Sequence, residues 1–284
     1  MIYNKEKIEQ LVDKLTSKKI TRTENVFYLL DKDLRKSNVP YVHNQDELIE
    51  YAKCYSSKKY FIESNFDIKL LDFQIEIIKM YDENRFNIFA KSPQIGFETL
   101  MSYIYLWEMV FKKSIAITYI DHKTASSMQM LKKIKENYKL LPFFLKPGIV
   151  KWNMKSIVFE NNNRIMTETF SIEPAIGYKS HIVHFNDFAQ IPHKKQEKVY
   201  GMYVPTITYY SDTKLIISSS FNGFDFFYKL MQDSDQGLNI YNSIRLPYNV
   251  VPLRGDEWRK NEIEILDGDE ELFDMRYGMI FHVD

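Results

Sequence analysis

From residue 70 onward the apolar positions switch between two periods. The stretch "LLDFQIEIIKMYDE" (70–83) repeats its apolar residues at helical spacing, and "FNIFA" (86–90) is a short apolar run of strand type. "FETLMSYIYLWEMVFKK" (97–113) is apolar nearly all round, which predicts a buried helix, and "SIAITYI" (114–120) predicts a second strand. "TASSMQMLKKIKENYKLL" (124–141) predicts a third helix with Thr124 as its N-cap. Short strand-like pieces follow, "GIVKWN", "SIVFE" and "RIMTETF", the last two joined by the turn residues Asn161, Asn162 and Asn163. "HIVHFN" (181–186) and "KLIISSS" (214–220) predict two more buried strands, with a helix over "KKQEKVYGMYVPTI" (194–207) between them. Two short helices around Gly268 are expected in the tail.

The first part of the chain reads differently. "YNKEKIEQLVDKLTSK", "TENVFYLLDKDLRKS" and "NQDELIEYAKCYSS" each carry helical spacing, so residues 1–69 predict a helical N-terminal region. Strands alternating with helices over 70–235 predict an α/β core, a mostly parallel sheet flanked by helices, and 236–284 predicts a small C-terminal subdomain.

Composition narrows the function classes. The 284 residues are 45% hydrophobic and 15% aromatic, enough for a sizeable core, and 38 basic residues balance 38 acidic ones. Net charge therefore does not announce a nucleic-acid binder. The single Cys54 excludes an internal disulfide framework, and no Cys/His spacing suits zinc. His181 and His184 fall on opposite faces of one strand, and His193 lies beyond it, so no metal site is expected there. No apolar run reaches membrane-spanning length, and the charged N-terminus predicts no secretory leader. Tyr103, Tyr105, Trp107 and Phe111 are expected in the core, and Tyr209, Tyr210, Phe226, Phe227 and Tyr228 against the sheet.

Ligands of open α/β sheets bind at the carboxyl ends of strands. Three such ends carry polar residues: Lys91 before "SPQIGFET" (92–99), Asn186 and Asp187 in "IVHFND", and Ser218, Ser219 and Ser220 in "SSSFNG". The first has the strand, loop and helix start of a phosphate-binding loop, with Gly96 near the helix, but neither the lysine nor the following hydroxyl. Taken singly, each end equally suits an ordinary turn.

The ordered set resembles the ATPase domain of the large terminase subunit of tailed bacteriophages. "LLPFFLKPGIVKWNMKSIVFENNNRI" (140–165) is similar to that family's "PGIV-WN" stretch, and "DFQ" (72–74) to its adenine-side glutamine motif. "SPQIGFET" resembles its phosphate loop, "EPAIG" (173–177) a segment with an arginine before the glycine, and "IVHFNDFAQIP" (182–192) its paired-acid strand. "KLIISSSFNG" (214–223) is similar to its coupling motif and "FDMRYGMIF" (273–281) to the segment after the core. The resemblance implies a P-loop NTPase fold of the RecA/ASCE type and a role in viral DNA packaging. The partners implied are the viral portal, the small terminase subunit or an active terminase chain, and double-stranded DNA. The implied place is the host cytoplasm, transiently at the procapsid portal. No nuclease domain is expected within the chain.

Carried over by position, the nucleotide-binding equivalents are Gln74, Ser92, Gln94, Gly96, Phe97, Glu98 and Thr99, and the coupling equivalents are Ser218, Ser219, Ser220 and Asn222. Asn186 stands where the family has its magnesium aspartate and Asp187 where it has the catalytic glutamate. Pro93 and Ile176 replace arginines, Phe97 the lysine and Glu98 the magnesium hydroxyl. A Glu98 carboxylate within about 4 Å of a phosphate would oppose it by about 4 kcal/mol per charge at an effective dielectric of about 20. No metal ligand is expected, and ATP and magnesium are expected only if another group rescues the site. Two readings follow: a structural or regulatory component with a degenerate site, or an active packaging ATPase whose cation comes from Lys91, Lys179 or a neighbouring subunit. The lysine clusters Lys132, Lys133, Lys135, Lys139 and Lys194, Lys195, Lys198 are candidate DNA-facing surfaces.

Overall fold

The computed structural model describes residues 6, 8–10, 12, 13, 33–38, 41–170 and 179–281. The "EPAIG" segment with Ile176 lies outside the described residues, as do residues 23–32 of the helix expected over 23–37; its described part, 33–37, is turn with an isolated bridge from Lys36 to Ile149 rather than helix.

Described elements run α1 (Gln45–Ser56), α2 (Lys58–Asn65), α3 (Asp72–Glu83), β1 (Phe86–Lys91), α4 (Phe97–Phe111), β2 (Ala116–Asp121) and α5 (Thr124–Leu140). β3 (Ile149–Trp152), β4 (Ser156–Phe159), β5 (Arg164–Thr169), β6 (Ile182–Asn186), α6 (His193–Ile207) and β7 (Lys214–Ser219) follow. α7 (Phe226–Asp235), β8 (Asn242–Leu246), α8 (Asp256–Ile265) and α9 (Glu270–Phe273) complete them. The eight strands form one sheet in the order β3-β4-β5-β2-β6-β7-β1-β8. It is mostly parallel, as expected: β2–β6, β6–β7, β7–β1 and β1–β8 pair in parallel and the β3–β4–β5 meander is antiparallel. β8 adds a strand the apolar pattern did not predict. Thr124 is the first helical residue of α5 and so stands one place inside the expected cap.

Two compact units can be separated. One comprises residues 1–70, 99–116 and 128–166. Within it α4 is a core helix, as its apolar surface predicts: Tyr105, Trp107 and Phe111 are buried. Trp107 Nε1 donates to Cys54 O at 2.8 Å, and Lys58 and Glu108 form a buried ion pair at 3.2 Å. The predicted Asn turn also closes α4, because Asn163 Nδ2 donates to the carbonyls of Met109 at 2.8 Å and Lys112 at 2.7 Å. Gly148 of the "PGIV" stretch is there for space, since a Cβ would meet the backbone of Lys36 and Ser37 at 2.7 Å.

The other unit comprises 71–98, 117–127 and 167–284. Its strands are buried on both faces, the burden that central parallel strands carry. Phe185, Phe188, Tyr203, Phe221 and Phe227 pack in its core. Tyr209 departs from expectation: it is half exposed, in the turn after α6, where its ring meets Tyr210 and the Lys179 ammonium lies 4.4 Å from its centroid.

Candidate functional site

The three strand ends singled out in the sequence meet, and a fourth joins them. A cavity of about 300 Å³ is lined by Lys91, Pro93, Gln94, Glu98, His122, Asp187, Gln190 and Ser220, all in one unit. That size is at the lower limit for small-ligand pockets. The β1 strand delivers Lys91, β2 ends at Asp121 and His122, β6 at Asn186 and Asp187, and β7 leads to Ser220. Asp121, His122 and Gln190 were not among the residues expected. The signal for the first two was available, since "AITYIDH" is an apolar strand ending in an acid and an imidazole.

Lys91 dominates the pocket. Its Nζ lies 2.6 Å from Glu98 Oε1 and 3.1 Å from Asp187 Oδ1, with only 7% of the side chain exposed. The ammonium also lies 5.8 Å from the centre of the Phe97 ring, within cation–π range. Burial alone would lower its pKa. The Glu98 and Asp187 carboxylates outweigh that and hold it above the ordinary lysine value, so the group is charged.

Phe97 opens α4 and is fully buried, its ring 5.1 Å from Phe89 and 6.1 Å from His184, centre to centre. The loop before it is set by backbone geometry. Gln94 and Gly96 have φ of 58° and 82°. Gly96 is favoured by that left-handed backbone rather than by crowding, since a Cβ would meet only Gln74 Nε2 at 3.7 Å. Gln74 Oε1 itself accepts from Leu71 N at 3.0 Å, capping its own helix. Ser92 is buried and its N–H donates to Leu246 O at 2.8 Å. Arg254, absent from the sequence expectations, clamps the loop from outside, donating to Pro93 O at 3.1 Å and Gln94 O at 3.0 Å.

Beneath the pocket runs a buried polar chain. His184 Nε2 lies 2.8 Å from Ser218 Oγ, Ser218 donates to Asn186 Oδ1 at 2.9 Å, and Asn186 Nδ2 donates to Asp121 Oδ2 at 2.8 Å. Because the Ser218 hydroxyl donates onward, its lone pair is left to accept from His184, which places the ring proton on Nε2. Burial, then the Lys91 charge, depress the His184 pKa well below the usual imidazole value, so the ring is neutral. Burial raises the Asp121 pKa; the Asn186 hydrogen bond opposes this and the Asp187 charge adds to it. His122 Nδ1 lies 2.9 Å from Asp121 Oδ1. Asp187 takes a left-handed backbone (φ 49°) that turns the chain sharply off β6.

The remaining expected positions are accounted for. Ser219 Oγ accepts from Ala189 N at 3.1 Å and Asn222 Nδ2 donates to Ala189 O at 3.1 Å, tying the end of β7 to the turn after β6. Thr99 is in the first unit, where its hydroxyl accepts from Lys133 Nζ at 3.0 Å. Lys135 donates to Asn153 O at 2.7 Å, and Lys194, Lys195 and Lys198 are exposed on α6.

No family model matches the sequence. Solved structures do match. The large terminase ATPase domain of Thermus phage P74-26 superposes with a TM-score of 0.63 at 16% identity, covering 78% of this chain and 98% of that one. The HK97 bacteriophage large terminase gives 0.60 at 14% identity over 78% of this chain and 50% of its own. The large terminase of the thermophilic bacteriophage D6E, in complex with ADP, gives 0.56 at 10% identity over 74% of this chain and 53% of its own. The chain spans nearly all of an isolated ATPase domain and about half of the longer chains. At such identities likeness speaks for the fold, and the fold of this chain is that of the phage large-terminase ATPase domain, a P-loop NTPase sheet of the RecA/ASCE type.

Proposed function

We propose that the chain is a component of a viral DNA-packaging machine that works as a structural or regulatory part rather than by hydrolysing ATP. The observation that carries this reading is the ion triad of Lys91 with Glu98 and Asp187. An incoming triphosphate would have to separate those pairs and then face two carboxylates, each opposing it by several kcal/mol. Magnesium and nucleotide fit the remaining side chains poorly. Phe97 offers no cation, Glu98 is committed to Lys91, and both ends of the Asn186 amide are already hydrogen-bonded. Losing several such groups together removes most of the transition-state stabilisation that phosphoryl transfer needs.

In this reading the partners are those of a packaging assembly: the portal, the small terminase subunit or an active terminase chain, and double-stranded DNA in the host cytoplasm. No helix among the described residues is long and apolar enough to cross a membrane. DNA contact through the exposed lysines of α5 and α6 would weaken steeply with salt and on charge reversal of Lys132, Lys139, Lys194, Lys195 and Lys198.

The test is a calorimetric titration with magnesium–ATP together with a phosphate-release assay. We expect no micromolar binding and no turnover above background. Micromolar affinity, or turnover that Asp187→Ala abolishes, refutes the reading. One observation favours the alternative of an active ATPase: Lys91 is the lysine lining the cavity. Turnover lost in Lys91→Met would establish it.

A further inference from the structure

The pocket's charge balance favours a cation. One ammonium, Lys91, pairs with two carboxylates, Glu98 and Asp187, and a third carboxyl group, that of Asp121, is close enough to Asp187 to feel its charge. Next to them is an imidazole nitrogen that makes no hydrogen bond. His122 Nδ1 is buried and unsatisfied although Asp121 Oδ1 is only 2.9 Å away, so the two atoms approach without the alignment that a hydrogen bond needs. In the tautomer that carries its proton on Nε2, His122 Nδ1 has a lone pair free to turn with the carboxylate toward a shared cation.

Asp187 completes the set. One ligand atom each from Asp121, His122 and Asp187 lies within 4.8 Å of the other two. Tetrahedral coordination at about 2.1 Å separates ligand atoms by about 3.4 Å, so the three ligand atoms lie within about 1.5 Å of a coordinating arrangement. Asp121 is held in place by Asn186 Nδ2 at 2.8 Å and by Lys123 N–H at 3.2 Å, which is the outer-sphere support that fixes a ligating carboxylate.

We propose that Asp121, His122 and Asp187 bind a divalent transition-metal ion, zinc by preference, at the carboxyl ends of β2 and β6. An imidazole with two carboxylates suits zinc or manganese better than magnesium, which prefers an all-oxygen octahedron. Lys91 is the competitor: its ammonium holds Asp187 through Oδ1 at 3.1 Å, and the metal must share or displace that contact. The inference rests on the reading that the pocket does not take magnesium–nucleotide. It is tested without nucleotide, so ATP turnover bears on that reading alone and zinc binding on this one.

Zinc, and separately magnesium, is titrated into the full chain by calorimetry, and the unfolding temperature is followed with each ion. We expect one zinc per chain at micromolar affinity, a raised unfolding temperature with zinc, and little effect of magnesium. Asp121→Asn and His122→Ala should each weaken zinc by about tenfold or more, while His193→Ala, outside the ligand set, leaves it unchanged. Lys91→Met removes the competing cation and should tighten zinc, an increase that a merely misfolded variant does not produce. Absence of zinc binding, equal binding by the parent, Asp121→Asn and His122→Ala chains, loss in His193→Ala, or unchanged or weaker binding in Lys91→Met overturns the proposal.

Discussion

Asn186 Nδ2 donates to the buried Asp121 Oδ2 at 2.8 Å, while Asn186 Oδ1 accepts from Ser218. An amide accepts at one end and donates at the other, which an ionised carboxylate cannot do, so the network gives position 186 a structural reason to carry an amide. Asn186→Asp sets two carboxylates against each other in a buried site. It should cost about 2–4 kcal/mol in a denaturant melt at neutral pH. The loss should shrink as pH falls, because one shared proton restores the donor. A variant as stable as the parent at pH 7.5 would contradict this account of the network.

Phe97→Lys, which puts a lysine at the start of α4, should not create magnesium–nucleotide binding. The ring is fully buried against Phe89 and His184, with the Lys91 ammonium nearby. An ammonium there loses packing and meets a like charge, for about 3–5 kcal/mol of destabilisation. A thermal melt and a magnesium–ATP titration of the same sample check both halves.

The His184 imidazole sets an acid limit on stability. Its folded pKa is depressed, so the unfolded chain binds the extra proton. The stability it contributes is fully present above about pH 6.5 and is lost as pH falls below it towards the depressed folded value. Urea midpoints between pH 8 and pH 5 should fall more steeply in the parent than in His184→Gln, whose amide keeps a donor for Ser218. Parallel curves would show that another group governs the acid limb.

Arg254 braces the loop through two backbone carbonyls. Arg254→Ala should cost about 1 kcal/mol and speed amide exchange over residues 92–96, leaving the core strands unchanged. Unaltered exchange in the loop would mean that its left-handed Gln94 and Gly96 turn holds without the arginine.

The strands that sequence could reveal were those buried on both faces. β1, β2, β6 and β7 are buried along most of their length and carry mainly apolar residues, so their runs announce them. β8 pairs with β1 through residues that run from exposed Asn242 to buried Leu246, three of the five half-buried, and "NSIRL" carries no period strong enough to separate it from loop. In and beneath the pocket, the order of motifs pointed to Lys91, Asn186, Asp187 and Ser220, because strand ends follow from strands. Asp121 and His122 were equally legible by that rule but resemble no motif. Arg254 was not legible, because it reaches back across 160 residues to a carbonyl, and no local pattern encodes such a partner.

By itself, the linear order of residues determined most of the sheet, the loop before α4 and the absence of a lysine at position 97, all of which depend on local period and residue type. Tertiary structure alone decided which cation stands at the end of that loop. Phe97 became core, the ammonium of Lys91 came from the strand before it, and Glu98 and Asp187 closed on it from two elements. The pairing of charges depends on where side chains point at distances of about 3 Å, and sequence carries that information only through the complete fold.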